Sequence, residues 1–249
     1  MNILAIIPAR MGSSRFPGKP MKLINGKPMI GHVYERVARS PLLLHTVVAT
    51  CDIEIFDYIN SIGGQAVMTA ATHERASDRC ADALLTLEKD NCILYDIVVM
   101  VQGDEPMTHP EMIGEAIQPM LDDPSVLVVN LLAQIKDQAE FEDRNCIKVV
   151  CDKQLNALYF SREAIPSRFM AGTVPMFKQV CIIPFRRDYL IQYTALDPTP
   201  LEIAESIDMM RVLEHGNKVR LAHTRFSTHA VDTPDDLIRV ESMIQPLGT

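Results

Sequence analysis

Within the first hundred residues, short apolar runs alternate with segments of helical periodicity, and only a few residues separate one from the next. Positions 2–7, 45–50, 65–68 and 97–101 read as strands. Positions 28–40, 54–62 and 77–88 read as helices; in the first, Met29, Ile30, Val33 and Val37 recur at helical spacing. Gly63 and Gly64 close the second. Strands joined through helices pair in parallel, so this rhythm dictates a parallel sheet with helices on both faces. Right-handed crossovers then bring every strand's C-terminal end to one edge, where open sheets of this kind bind ligands. That edge receives the loops 8–20, 68–79 and 102–106.

After position 132 the rhythm changes. Positions 146–151 and 156–160 predict an antiparallel hairpin turned at 152–155, followed by a loop at 164–175 and a strand at 177–183. Helices are expected at 188–194 and 201–215, then a strand at 218–222 and a helix at 234–244. With no repeat and no low-complexity linker, the expectation is one α/β domain over 1–249, carrying a β-rich insertion at about 145–185.

Composition narrows the function. Against 24 Lys and Arg stand 32 Asp and Glu, a net charge of −8, and Trp is absent. A nucleic-acid-coating protein needs a broad basic face, so no nucleic-acid partner is expected. No run approaches the 18 or so apolar residues of a membrane span. The apolar run at 3–7 is too short for a secretory signal. Cys51, Cys80, Cys92, Cys146, Cys151 and Cys181 form no C-x-x-C pair, and the seven histidines lack zinc-site spacing. Reduced thiols in a cytoplasmic protein are expected.

One stretch departs from the acidic balance. Before Glu35 there is no acidic residue, yet Arg10, Arg15, Lys19, Lys22 and Lys27 all fall there. Gly12 and Gly18 let backbone N–H groups approach oxygen closely, so the loop suits an anion; a merely solvated basic loop is the alternative. It is not a P-loop, because five residues separate Gly12 from Gly18 and Pro20 replaces the hydroxyl after Lys19. Nor is it the G-x-G-x-x-G of a dinucleotide site.

Ile-Pro-Ala-Arg-Met-Gly-Ser-Ser-Arg-Phe-Pro-Gly-Lys-Pro at 7–20 resembles the nucleotide loop of the CMP-sugar-acid synthetases, most closely their octulosonate branch. Four more blocks follow in family order. They are Ile24-Asn25-Gly26-Lys27-Pro28-Met29-Ile30, Val101-Gln102-Gly103-Asp104-Glu105-Pro106, Ala157-Leu158-Tyr159-Phe160-Ser161-Arg162 and Val231-Asp232-Thr233-Pro234-Asp235-Asp236-Leu237. The resemblance implies a Rossmann-like nucleotidyltransferase fold. The implied reaction is transfer of CMP from CTP to an acidic 3-deoxy sugar, octulosonate or a variant such as its 8-amino analogue, with release of pyrophosphate. It also implies a cytoplasmic homodimer serving lipopolysaccharide synthesis. Pro8, Ala9 and Arg10 would meet the base, and Arg15 and Lys19 the triphosphate. Arg75, Ser77, Arg79 and Gln102 would add nucleotide contacts. Lys19, Arg15 and Asp104 would be catalytic, with Asp104 and Asp232 holding Mg²⁺. Taken alone, Asp104 could cap a loop and Asp232 could cap the helix that Thr233-Pro234 opens. Glu105 reads as structural.

The resemblance breaks where the sugar acid would lie. Where the octulosonate branch has a segment like H-L-G-I-Y-G-Y, this chain has Gln179-Val180-Cys181-Ile182-Ile183-Pro184-Phe185. The family's E-x-L-E-Q-L-R is Glu205-Ser206-Ile207-Asp208-Met209-Met210-Arg211, and its S-G-T-E-R is Arg75-Ala76-Ser77-Asp78-Arg79. Gln179, Ile183, Asp208 and Met209 are therefore candidate acceptor contacts of changed specificity, or a repacking around the usual sugar. Arg162 could grip the acceptor carboxylate, or form an ordinary surface ion pair. Uridylyl-, thymidylyl- or guanylyltransferases and a non-catalytic CTP binder are the competing classes. Tyr159, Phe160, Phe169, Met170, Met176 and Phe177 are candidates for a dimer face or for a second core.

Overall fold

A computed structural model describes residues 1–12, 16–169 and 174–244. Its first half runs β1 (Ile3–Ala9), a hairpin of β2 (Leu23–Ile24) and β3 (Lys27–Pro28), α1 (Met29–Ala38), β4 (His45–Thr50), α2 (Ile53–Ser61), β5 (Ala66–Met68), α3 (Ala76–Asn91) and β6 (Ile97–Val101). β6, β1, β4 and β5 are adjacent in that order and parallel. Alternate residues of β1 serve opposite cores: Leu4 and Ile6 pack with Leu84 and Leu87 of α3, while Ala5 and Ile7 pack with Val33 of α1 and Ile55 of α2. All four β1 residues are fully buried, which is why the strand reads as a continuous apolar run. The hairpin turns on Asn25 and Gly26, both with positive φ (49° and 78°), as a two-residue turn requires.

The second half contains α4 (Pro110–Asp122), β7 (Val129–Gln134), α5 (Gln138–Glu142), β8 (Lys148–Cys151), β9 (Ala157–Ser161), β10 (Phe177–Val180), β11 (Ile182–Arg186), α6 (Arg187–Thr194), α7 (Pro200–Glu205), α8 (Met209–Glu214), β12 (Arg220–His223) and α9 (Pro234–Met243). β8 and β9 form the expected hairpin. The second sheet, ordered β12-β7-β10-β8-β9, reaches beyond 145–185 by taking in β7 and β12.

The hairpin β2–β3 and the elements α4, β7 and α5 have no counterpart in the sequence reading, and two of the elements it predicts take a different form. The strand expected at 177–183 is two strands in two sheets: Val180 pairs with Leu131 of β7, whereas Ile182 pairs with Val101 of β6. Cys181 is the corner, its carbonyl accepting from Gln102 N (3.0 Å) and its N–H donating to Glu105 Oε1 (3.3 Å). An apolar run through both sheets carries no mark of the switch. The helix expected at 201–215 is broken into α7 and α8 at Ser206, which sits in the left-handed region at φ 53°.

A third apolar cluster joins Phe16, Ile24, Met29, Val231, Val240 and Ile244, with Met107 packed against it. It ties the hairpin and α9 to the loops after β1 and β6. Met29 is fully buried within it. Met29→Ala should lower unfolding free energy by about 2–5 kcal/mol. Urea denaturation measures this, and a midpoint unchanged from wild type would contradict the cluster's role.

Candidate active site

The loops after β1, β5 and β6 converge, as the topology requires, on a cavity of about 660 Å³. Pro8, Ala9, Arg10, Gly12 and Lys19 line it from the first loop, Arg75 and Arg79 from the second, and Gln102, Gly103 and Asp104 from the third. The first loop is braced by Asp52, whose Oδ2 accepts from Met11 N (2.8 Å), and by Gly18 N donating to Met11 O (3.0 Å). Gly18 has φ 69°, so a side chain there would be strained. A Cβ on Gly103 would lie 3.1 Å from Pro8 O; glycine lets the first and third loops touch. Arg15 falls outside the described residues.

At the centre is an ion triad. Lys19 Nζ is 2.8 Å from Asp104 Oδ2 and 3.3 Å from Asp232 Oδ1. All three side chains are largely buried, Lys19 being 12% exposed. Burial opposes the Lys19 charge, yet the two carboxylates outweigh it and hold its pKa above the usual lysine value. Asp232 does not cap α9. Thr233 does, its Oγ1 accepting from Asp236 N (3.2 Å), which leaves the Asp232 carboxylate directed at Lys19. Val231 N donates to Asp104 O (2.9 Å), joining the two carboxylate loops directly. Among the described residues no cluster of three or more metal-ligating side chains occurs. Two hard carboxylates converging on one cationic point fit a Mg²⁺ that completes its shell with water and substrate oxygens.

A second cavity of about 620 Å³ adjoins the first, and Gln102, Asp104, Asn145, Arg162 and Ser206 line both. The four candidate acceptor contacts, Gln179, Ile183, Asp208 and Met209, line this second cavity. Glu105, buried under the Cys181 corner, lines it too, its Oε2 without a hydrogen-bond partner among the described residues. Desolvation, reinforced by the Asp104 charge, pushes the Glu105 pKa up to about 7. Desolvation likewise raises Asp208 to about 6, against the pull of Arg75. His229, absent from the sequence candidates, lines the same wall, and burial lowers its pKa. Only the folded proximity of its loop to β10 reveals it.

Several candidates are also engaged by partners within the protein. Arg162 does not offer an open fork: Nε donates to Glu205 O (2.7 Å), Nη1 to Arg144 O (3.0 Å) and Nη2 to Ser206 O (3.1 Å). It is no surface ion pair either, since these partners are carbonyls. Arg75 pairs with Asp78 (2.6 Å) and lies over the Tyr193 ring, so its charge is largely met within the protein. Arg79, 2% exposed, braces the loop after β5 by donating to Thr69 Oγ1. Ser77 is fully buried in the first turn of α3 and lines neither cavity. Phe160 is core, Tyr159, Met176 and Phe177 are half-buried, and Met170 lies outside the described residues. Among the described residues of that group only Phe169 is exposed, at 90%, and Leu158 and Val174 nearby are exposed at 61% and 66%. Among the described residues no helix is long and apolar enough to cross a membrane.

The chain matches the cytidylyltransferase family profile over residues 4–219. It is 42% identical to the 3-deoxy-manno-octulosonate cytidylyltransferase of Pelobacter propionicus over 99% of both chains. It is 43% identical to that of Syntrophus aciditrophicus over 97% of both. A solved structure of CMP:2-keto-3-deoxy-manno-octonic acid synthetase complexed with CTP superposes with a TM-score of 0.87 at 37% identity, covering 98% of each chain. A 4-diphosphocytidyl-2C-methyl-D-erythritol synthase from Anaerococcus prevotii shares the fold alone, with a TM-score of 0.60 at 15% identity over 97% of each.

Because the folded Glu105 pKa is raised from 4.5 to about 7, the native state holds a proton that the unfolded state releases between those values. That residue's contribution to stability therefore declines as pH rises from about 4.5 to about 7, then levels. Glu105→Gln removes the effect. Denaturation midpoints should show the variant gaining on wild type across that window; a pH-independent gap would contradict the assignment.

Proposed function

The chain belongs to the cytidylyltransferase family, and from that premise we propose that it transfers CMP from CTP to an acidic 3-deoxy sugar of the octulosonate type, releasing pyrophosphate. The observation that carries this reading is the junction of the two cavities at Gln102 and Asp104, beside Lys19 and Asp232. A nucleotide in the first cavity and an acceptor in the second would meet there.

The acceptor hydroxyl attacks the α-phosphorus and gives up its proton to water; the new O–P bond forms as the bond to pyrophosphate breaks, and negative charge builds on the transferring and leaving oxygens. Pro8, Ala9 and Gln102 would frame the nucleotide, while Arg10 and Lys19 bring positive charge to its phosphates. Lys19 is held in place beforehand by its two carboxylates, so little reorganisation accompanies the reaction. Asp104 and Asp232 would hold Mg²⁺, which when bound supplies Lewis-acid stabilisation of phosphate oxygens. Arg162 orders the carbonyls of 144, 205 and 206 around the acceptor entrance and lends it charge. The exposed Leu158, Phe169 and Val174 support a homodimer through this region, and the reaction suits a cytoplasmic enzyme feeding lipopolysaccharide synthesis. The intact triad speaks against a non-catalytic binder.

A specific observation favours a second reading of the acceptor. Ile183 and Met209 line the second cavity as core residues, 2% and 0% exposed, so its wall is apolar there but neither side chain stands open to an acceptor. Asp208 adds a carboxylate without a hydrogen-bond partner among the described residues. That wall suits a sugar acid other than plain octulosonate. Pyrophosphate release from CTP and Mg²⁺ across a panel of acidic sugars, octulosonate and its amino analogue included, separates the two. Release with octulosonate supports the first reading, and release only with another acid supports the second. Asp104→Asn and Lys19→Ala should each lower kcat by about 10²-fold or more with an unchanged circular-dichroism spectrum. Wild-type rates in both would contradict the assignment.

A further inference from the structure

The second cavity holds an imidazole, His229, on the loop between β12 and α9. Its side chain is 18% exposed, and Nε2 lies 3.2 Å from Asp236 Oδ1. A carboxylate only accepts, so Nε2 carries the proton and Nδ1 of the neutral ring keeps a lone pair. Nδ1 has no partner among the described residues. Asp236 is itself fixed, since its Oδ2 accepts from Asp232 N (3.1 Å), Thr233 N (2.9 Å) and Thr233 Oγ1 (2.8 Å). One carboxylate thus sets both the turn that presents Asp232 and the tautomer of His229. The loop is anchored further by Lys178 Nζ donating to Thr228 O (3.0 Å). On β10, Gln179 stands where the octulosonate branch carries a histidine, and its Nε2 is committed to Asn130 Oδ1 (2.5 Å).

We propose that His229 is an acceptor-contacting residue whose Nδ1 accepts a hydrogen bond from a hydroxyl of the sugar acid, and that Asp236 is its positioning residue. A lone-pair acceptor welcomes an O–H and repels a carboxylate, so His229 faces the hydroxylated part of the acceptor rather than its acid group. The inference rests on this cavity being the acceptor site.

Three substitutions separate contact from scaffolding. In His229→Gln the amide nitrogen can replace Nε2 at Asp236, but nothing replaces Nδ1. In His229→Asn the amide oxygen falls near Nδ1, but the Asp236 bond is lost. With CTP saturating, His229→Ala and His229→Gln should raise the KM for the acidic sugar by about tenfold, the worth of one hydrogen bond. His229→Asn should recover part of that loss, the remainder reflecting the missing Asp236 bond, and the KM for CTP should stay unchanged in all three. Recovery by Gln instead of Asn, or an unaltered acceptor KM in the Ala variant, would overturn the inference while wild-type turnover leaves the functional reading standing. Wild type that turns over no acidic sugar in the panel would overturn that reading, and this inference with it.

Discussion

The contact on which the rest depends is the ammonium of Lys19 between the carboxylates of Asp104 and Asp232. Removing three charged groups from water costs several kcal/mol per ion, and only close geometry offsets it. That geometry comes from distant parts of the chain. Lys19 follows β1, Asp104 follows β6, and Asp232 precedes α9; Phe16, Met107 and Val231 beside them pack into one apolar cluster. The Val231–Asp104 backbone bond completes the link. Two carboxylates so near each other need a cation, and the same need makes the point suitable for polyphosphate chemistry.

The second constraint is the corner at Cys181. By passing from one sheet to the other within a single residue, the chain lays β10 and β11 beneath the Gln102–Asp104 loop. The parallel sheet alone offers one cavity at its edge. The second sheet walls in another, and Asp104 stands where they meet. Glu105 is buried because it satisfies that corner, and its raised pKa is a consequence of this structural task.

Local signals made the first sheet legible. The runs before Pro8 and around Ile97–Val101 are buried on both faces, and such strands have few alternatives. Motifs likewise singled out Lys19, Asp104 and Asp232, three residues that the fold brings into contact. Other features depend on tertiary placement. The split between β10 and β11 leaves the local hydrophobic pattern unchanged, and α4 is obscured by Pro110 and Pro119. Arg162 and Arg75 read as open cations in sequence, yet carbonyls from other segments hold the Arg162 guanidinium, and Arg75 is engaged by Asp78, Thr194 O and the Tyr193 ring. His229 carries no spacing signal and becomes visible only when its loop folds over β10.

We propose that Asp104 and Asp232 act as one unit in turnover. A double-mutant cycle on kcat/KM, with Asp104→Asn, Asp232→Asn and both together, tests it most directly. Either single change should remove nearly the whole rate advantage of the pair, and the double variant should be little slower than the worse single one. Losses that multiply independently would contradict a shared centre.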